Sequence, residues 1–249
     1  MFLSRLDIAL GNNPDDPSPG KKWLRNLYRV HQRLCMAFPS QERESDDPEF
    51  LEPFNPKDFG DKQVHVKREE NAGFLFRIDP VMRGRVVVLV QSALKPNWDY
   101  AFHNACYFLS ANPETKEFNP IFVKNQVLQF RLMANPTRKI DTKSGPDGKR
   151  RHGKRVPVPS DQLDNWLISR AEEKGFIADQ DSIIVQPGYV YVNKEGKGQG
   201  KRLRSARYDG TLKVTNPKRL NETIISGIGP AKAFGFGLLS VAPVLGTSE

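Results

Sequence analysis

The stretch Val127-Leu-Gln-Phe-Arg-Leu-Met-Ala-Asn-Pro136 alternates apolar and polar side chains over most of its length and then ends at an Asn-Pro pair. Alternation of this kind is typical of a β-strand with one buried face, and Asn-Pro marks a turn. The sequence therefore predicts a strand over residues 127–133 that opens a second half of the chain.

Cap and turn residues divide the chain downstream of this strand. Ser160 is predicted to cap a helix that continues through Lys174, and Gly175 ends it. Asn216-Pro217 begins a second helix. Strands are predicted at residues 183–192, 204–214 and 238–241.

The first half shows a similar order of elements. A strand is predicted over residues 2–10, and Ser18-Pro19 begins a helix over residues 20–37. The remaining predicted elements are strands at 74–79 and 86–92, a short helix after Asn97-Trp98 and a junction at 117–120. Each half thus reads β-α-β-β-α-β, which is the ferredoxin-like pattern. The predicted fold is α+β, with two tandem ferredoxin-like (RRM-like) βαββαβ domains at residues 1–117 and 118–249.

Positive charge is segregated along the chain. The formal net charge is +9, yet residues 138–155 hold eight basic and two acidic side chains, and residues 194–207 hold six basic and one acidic. The rest of the chain is slightly acidic, and residues 41–52 alone carry −5. This pattern favours a surface that binds nucleic acid, because each neutralised phosphate releases counterions. The alternative is that both basic stretches are solvated loops that keep the protein soluble.

Composition excludes several other classes of protein. No apolar run approaches the roughly 20 residues of a membrane-spanning helix, and neither basic stretch has the apolar face of a membrane-surface helix. Two cysteines, Cys35 and Cys106, are too few for a disulfide framework. With no spanning run, a charged N-terminus unlike a signal peptide and few cysteines, the sequence predicts a cytoplasmic protein. No cluster has metal-ligand spacing, so neither a metal nor a cofactor is predicted.

Residues 227–237, Gly-Ile-Gly-Pro-Ala-Lys-Ala-Phe-Gly-Phe-Gly, form a glycine-rich loop between a predicted helix and the last strand. A dinucleotide fingerprint would follow a strand and open a helix, and a P-loop needs Ser or Thr after Gly-Lys. Two interpretations stay open. The glycines supply positive φ angles for a tight connection, or their backbone N–H groups and Lys232 cradle a phosphate.

The run from Gly227 to Pro243 resembles the C-terminal signature of the CRISPR repeat-processing endoribonucleases, in particular the CasE family of the type I-E Cascade complex. Four further stretches match the family in order: Leu27-Tyr-Arg-Val-His-Gln-Arg-Leu34, Val88-Leu-Val-Gln-Ser92, Phe130-Arg-Leu-Met-Ala-Asn-Pro136 and Lys154-Arg-Val-Pro157. The resemblance implies two ferredoxin-like domains that bind the hairpin of a CRISPR repeat transcript. It implies one cut at the 3′ base of the stem and continued binding of the product hairpin among the other Cascade subunits. It further implies metal-independent attack by a 2′-hydroxyl, which gives a 2′,3′-cyclic phosphate.

Two catalytic residues follow from this resemblance. Tyr28 and His31 lie three apart on the first predicted helix, and His31 falls within its apolar stripe. Pattern alone therefore favours a packed core histidine, whereas the family's Tyr-x-x-His motif makes His31 the proton-transfer residue and Tyr28 its partner. A non-catalytic RNA-binding scaffold of the same fold is the alternative, and a basic ribosome-associated or DNA-binding protein is a third.

The predicted RNA-binding residues come from the two basic stretches and the glycine-rich loop. They are Arg138, Lys139, Lys149, Arg150, Arg151, Lys154, Arg155, Lys201, Arg202, Arg204, Lys232, Gly227, Gly229, Gly235 and Gly237. Arginines and lysines that follow phosphates would recognise the shape of an RNA hairpin more than its sequence.

Overall fold

The computed structural model describes residues 1–11, 18–38, 73–81, 85–140, 154–193 and 200–244. The chain divides into two compact units. Unit 1 comprises Met1–Asn119, Tyr191–Lys201 and Ala233–Gly235, and unit 2 comprises Pro120–Val190, Arg202–Lys232 and Phe236–Glu249. Among the described residues, no helix is long and apolar enough to cross a membrane.

Unit 1 is built on a four-stranded antiparallel sheet. In chain order its elements are β1 (Phe2–Ala9), α1 (Pro19–Leu24), α2 (Leu27–Cys35), β2 (Phe74–Val81), β3 (Arg85–Ser92), α3 (Trp98–Phe102) and β4 (Glu114–Glu117). The spatial order of the strands is β2-β3-β1-β4. Helices therefore lie in the connections from β1 to β2 and from β3 to β4.

One face of this sheet supplies the core of unit 1. Leu6 of β1 lies opposite Val88 of β3, and both are fully buried. Their alternate neighbours on the same face pack with Val30 and Leu34 of α2. Burial of such a side chain contributes about 1.5–3 kcal/mol, so this face fixes α2 on the sheet.

The helix that the sequence predicts over residues 20–37 is two helices in the structure. Ser18 caps α1 as predicted, since its Oγ accepts a hydrogen bond from the Lys21 amide at 3.4 Å. At Asn26 the backbone is extended, and the Asn26 side chain accepts from the Tyr28 amide at 3.1 Å. Asparagine can end one helix and cap the next, because its short side chain satisfies a backbone N–H. This cap sets the start of the helix that carries His31.

The strand β4 lies directly before the predicted junction at 117–120 and shares only Glu117 with it. Its four residues, Glu-Thr-Lys-Glu, are all exposed and pair with the edge of β1, from Phe2 opposite Glu117 to Arg5 opposite Glu114. A strand without apolar alternation gives no period-2 signal, so only its pairing identifies it.

Unit 2 contains the same order of principal elements, with a hairpin added. Its elements are β5 (Val127–Ala134), β6 (Thr137–Ile140), β7 (Lys154–Pro157), α4 (Leu163–Ala171), β8 (Phe176–Ala178), β9 (Ile184–Val192), β10 (Lys201–Val214), α5 (Pro217–Ser226) and β11 (Leu239–Pro243). The main sheet has the order β11-β5-β10-β8, with β9 paired to β10, and β6 and β7 pair separately. The alternation in 127–133 is confirmed, because Leu128, Phe130 and Leu132 are buried.

The helix predicted after Ser160 differs in its first turn. A 3₁₀ turn (Ser160–Gln162) precedes α4, and a second one (Glu172–Lys174) follows it before Gly175, whose φ is 86°. The prediction that Ser160 caps this helix is wrong, because Ser160 is the first residue of the 3₁₀ turn and Pro159 occupies the cap position. The Ser160 Oγ instead accepts from the Arg204 guanidinium at 2.5 Å. Asn216 does cap α5 as predicted.

Candidate functional site

Helix α2 carries Tyr28 and His31, the two residues predicted to be catalytic. Three positions separate them, so both side chains leave the same side of the helix. The Arg33 guanidinium fixes α2 against the region of α3, since it donates to the Ala101 carbonyl at 2.9 Å and to Asn104 Oδ1 at 3.1 Å. Burial of this guanidinium lowers the pKa of Arg33. The helix that presents the two candidates is thus held by packing and by buried hydrogen bonds.

His31 is half-buried in an aromatic cluster. Its ring stacks on Phe74, with 5.3 Å between centroids and 30° between planes, and on Phe76 at 6.5 Å and 19°. Its Nε2 lies 3.6 Å from Sγ of Cys35, one helical turn further on. These contacts restrict how the imidazole can rotate, and its Nδ1 atom is buried although the residue as a whole is half-buried. The geometry accommodates both interpretations of His31, since a packed ring can also transfer a proton.

The four glycines of the loop at residues 227–237 all have left-handed backbone conformations. Their φ angles are 72° at Gly227, 83° at Gly229, 80° at Gly235 and 93° at Gly237. A Cβ at Gly229 would lie 3.3 Å from the Trp166 ring, and one at Gly237 would lie 3.1 Å from the Ile228 carbonyl oxygen. Conformation and packing therefore account for glycine in this loop, and a phosphate-cradling role stays a prediction.

Three residues within this loop, Ala233–Gly235, belong to unit 1. A Cβ at Gly235 would lie 3.1 Å from the ring of Phe76. Because Phe76 also stacks with His31, the segment borders the aromatic cluster that holds the candidate imidazole.

Lys232 lies in the same loop and is exposed. Partial desolvation lowers the pKa of its ammonium, and the positive charge of Lys174 lowers it further. An anion bound beside these two lysines would relieve their repulsion. The electrostatics therefore favour a phosphate contact at Lys232, which stays a prediction.

The hairpin formed by β6 and β7 exposes four of the predicted RNA-binding cations: Arg138, Lys139, Lys154 and Arg155. Lys139 lies directly opposite Arg155 in the register. Like charges in opposite positions destabilise an antiparallel pair, so a polyanion that neutralises them would stabilise the hairpin. Lys149, Arg150 and Arg151 fall between the two strands, outside the described residues.

The second basic stretch divides into exposed and buried cations. Lys201 and Arg202 are exposed at the start of β10, whereas Arg204 is only 9% exposed. The Arg204 guanidinium donates to the Tyr189 hydroxyl at 2.7 Å as well as to Ser160. The predicted contact with RNA thus fits Lys201 and Arg202 better than Arg204, whose guanidinium has protein partners.

Sequence reasoning did not single out Tyr189. It lies within Gly-Tyr-Val-Tyr-Val on β9 and is 47% exposed. The signal in the sequence that points to Tyr189 is an aromatic residue shortly before a basic stretch. Across the described ranges, no group of three or more His, Cys, Asp or Glu side chains could hold a metal ion.

Known proteins resemble this chain over nearly its whole length. A family model described as "CRISPR associated protein" matches residues 1–243. The chain is 34% identical over 182 residues to the CRISPR-associated endoribonuclease Cse3 of Thermus thermophilus, a match that covers 68% of this chain and 79% of the relative. It is 27% identical over 249 residues to the CRISPR system Cascade subunit CasE of Escherichia coli, a match that covers 98% and 100%.

A solved structure of the CRISPR endoribonuclease Cse3 bound to a 19-nucleotide RNA matches with a TM-score of 0.67 and 27% identity. The match covers 98% of this chain and 100% of the Cse3 chain. Sequence and structure thus agree, and the chain belongs to the family of CRISPR-associated proteins that includes Cse3 and CasE.

Proposed function

We propose that this protein is an endoribonuclease that binds the hairpin of a CRISPR repeat transcript and cleaves it at the 3′ base of the stem. After cleavage it remains on the hairpin as a subunit of Cascade, in the cytoplasm. The observation that carries this proposal is the likeness, over 98% of the chain, to an endoribonuclease bound to RNA. The relative from E. coli is named as a Cascade subunit, which supports the role after cleavage.

Both units are ferredoxin-like domains in this proposal, and their boundary lies near residues 117 and 118. The support is topological. In unit 1 the four strands occur in the order β2-β3-β1-β4, and in unit 2 the corresponding strands occur as β11-β5-β10-β8. In each case a helical connection precedes the second strand and another precedes the fourth, as the β-α-β-β-α-β pattern requires.

The cations of the β6–β7 hairpin, the exposed start of β10 and Lys232 bind the RNA in this scheme. A-form RNA presents its phosphates and 2′-hydroxyls more openly than the base edges in its deep groove, so recognition relies on charge and shape. The pair Lys139 and Arg155 supports this assignment. The two positive side chains lie opposite each other in the folded hairpin, and neither is a carboxylate that would neutralise the other, so a bound phosphate would reduce their repulsion.

The proposed chemistry is an internal transesterification that needs no metal ion. The 2′-oxygen beside the scissile phosphate attacks the phosphorus and loses its proton, and the bond from phosphorus to the 5′-oxygen breaks. The departing 5′-oxygen takes up a proton. The products are a 2′,3′-cyclic phosphate on the upstream fragment and a 5′-hydroxyl on the downstream fragment.

His31 transfers one of these two protons, either from the 2′-oxygen or to the 5′-oxygen, and Tyr28 positions the phosphate or shares the transfer. Histidine suits this task because it changes charge in the physiological pH range, and such transfer contributes about 10²–10⁴-fold. The stacking of His31 on Phe74 and Phe76 supports the role, since a restrained imidazole loses less freedom when it meets the reacting atoms. A non-catalytic scaffold would have no use for this pair of residues.

The test is cleavage of the host's own repeat RNA by the purified protein in excess EDTA, with the products sized and their ends identified. We expect a single cut, undiminished by EDTA, that leaves a cyclic phosphate. A repeat RNA with one 2′-deoxy nucleotide just upstream of the cut should bind normally and resist cleavage. Cleavage of that RNA at the same position, or a strict need for added Mg²⁺, contradicts the mechanism; binding without any cleavage supports the scaffold.

A further inference from the structure

Strand β9 exposes one aromatic ring whose position is fixed by two arginines. Tyr189 is 47% exposed, yet its ring and its hydroxyl both have partners. Single exposed apolar residues are common on protein surfaces and call for no explanation. Tyr189 differs in that two arginine side chains hold its ring and its hydroxyl.

The face contact comes from Arg202. Its guanidinium carbon lies 3.5 Å from the centre of the Tyr189 ring, well inside the range of about 6 Å for a cation–π contact. The guanidinium of Arg202 therefore lies over the ring. The residue as a whole nevertheless remains 47% exposed.

Arg204 holds the hydroxyl of Tyr189 and also lies over its ring. Its guanidinium donates to the Tyr189 hydroxyl at 2.7 Å and to Ser160 Oγ at 2.5 Å, and its carbon lies 5.0 Å from the ring centre. Arg204 is itself 9% exposed, so the ring is bonded to a residue inside unit 2. The ring is thus held in one orientation before any ligand arrives.

A restrained, flat, half-exposed ring beside cationic side chains is suited to bind an unpaired nucleobase of an RNA. Unpaired bases stack on aromatic side chains and on guanidinium planes, whereas the bases of a duplex already stack on each other. Lys201 and Arg202, both exposed at the start of β10, supply positive charge that attracts the phosphates on either side of such a base.

We propose that Tyr189 is a stacking site for an unpaired nucleobase of the bound RNA, on a ring that Arg202 and Arg204 hold in place. This inference rests on the proposed function for the presence of RNA, but it assigns a contact that cleavage does not require. It adds to the phosphate contacts a site that distinguishes unpaired nucleotides from paired ones.

The test compares two RNAs and two substitutions by fluorescence anisotropy. One RNA is the host repeat with its hairpin loop and single-stranded flanks, and the other is a blunt duplex of the stem sequence alone. Tyr189→Leu removes the aromatic face and keeps apolar volume, so we expect it to weaken binding of the full repeat by about 5- to 150-fold and leave the duplex unchanged. Tyr189→Phe keeps the ring and loses only the hydroxyl, so its affinity should stay within about 3-fold of the wild type.

Two controls guard against misfolding and against indirect effects. Ile184→Ala changes another exposed apolar residue of β9, which is 62% exposed, and should leave both affinities unchanged. A direct readout is photo-crosslinking of a repeat RNA with 5-iodouridine at its unpaired positions, followed by peptide mapping. We expect an adduct on Tyr189 that disappears in Tyr189→Leu.

Equal weakening of both RNAs by Tyr189→Leu, or no weakening of either, overturns the stacking site. So does a crosslink pattern that avoids Tyr189. Cleavage of the repeat by the wild-type protein is scored separately. If the wild type cleaves the repeat normally and Tyr189→Leu does not change RNA affinity, only the stacking site is rejected. If RNA binding depends on Tyr189 but the wild type does not cleave the repeat, only the proposed cleavage is rejected.

Discussion

Replacing His31 with phenylalanine separates the two roles that its geometry allows. The imidazole stacks on Phe74 at 5.3 Å and on Phe76 at 6.5 Å, and a benzene ring can occupy the same place. Phenylalanine cannot transfer a proton. We therefore expect His31→Phe to keep the fold and to lower the single-turnover cleavage rate by at least about 10²-fold.

His31→Ala measures how much the packing of the His31 side chain contributes to the stability of the fold. Loss of a stacked ring costs about 0.5–1.5 kcal/mol, and removal of the half-buried side chain adds to this, so we expect the free energy of unfolding to fall by about 1–2 kcal/mol. For a chain of this size that corresponds to a decrease of about 2–8 °C in Tm. His31→Phe should recover most of this loss, while both variants cleave equally slowly.

The assay combines single-turnover cleavage of the host repeat RNA, anisotropy binding and thermal unfolding. Cys35→Ala is the control, because it removes the sulfur 3.6 Å from His31 Nε2 and leaves the imidazole in place. Its rate should stay within about 10-fold of the wild type. Near-normal cleavage by His31→Phe would refute the catalytic role and leave His31 as a packing residue.

Three other outcomes follow from the structure of unit 2. Replacing both Lys139 and Arg155 by glutamine should weaken RNA binding, and the slope of affinity against salt concentration should fall by the equivalent of about two phosphate contacts. The Tm should not fall, because the substitution removes two like charges that lie opposite each other. Gly237→Ala should lower the free energy of unfolding by at least about 1 kcal/mol in denaturant titrations, since φ is 93° and a carbonyl oxygen lies 3.1 Å from the new Cβ. Tyr208→Phe should cost about 1–2 kcal/mol, because the buried hydroxyl donates to the Leu163 carbonyl at 2.9 Å. Burial raises the pKa of Tyr208, so the wild type should lose stability as pH rises above the unfolded value of about 10, and Tyr208→Phe should reduce that loss in unfolding measured against pH.

Elements with a strong local pattern could be predicted from sequence. The alternation in β5 and the helix starts at Ser18 and Asn216 match the structure, because each depends on residues within one turn or strand. The break at Asn26 was missed, because asparagine is tolerated inside a helix and only the actual backbone shows that it caps a new one. The polar strand β4 was missed for a similar reason, since its only signal is the partner strand.

The sequence by itself determined the order of elements, the segregation of positive charge and the family resemblance. These depend on local periodicity, on composition and on motifs, which are properties of the linear chain. Tertiary structure decided which side chains meet. It placed His31 on Phe74 and Phe76, turned Arg204 inward to Ser160 and Tyr189, and set Lys139 opposite Arg155. The physical reason is that these contacts join residues far apart in sequence, and only strand register and packing bring such residues together.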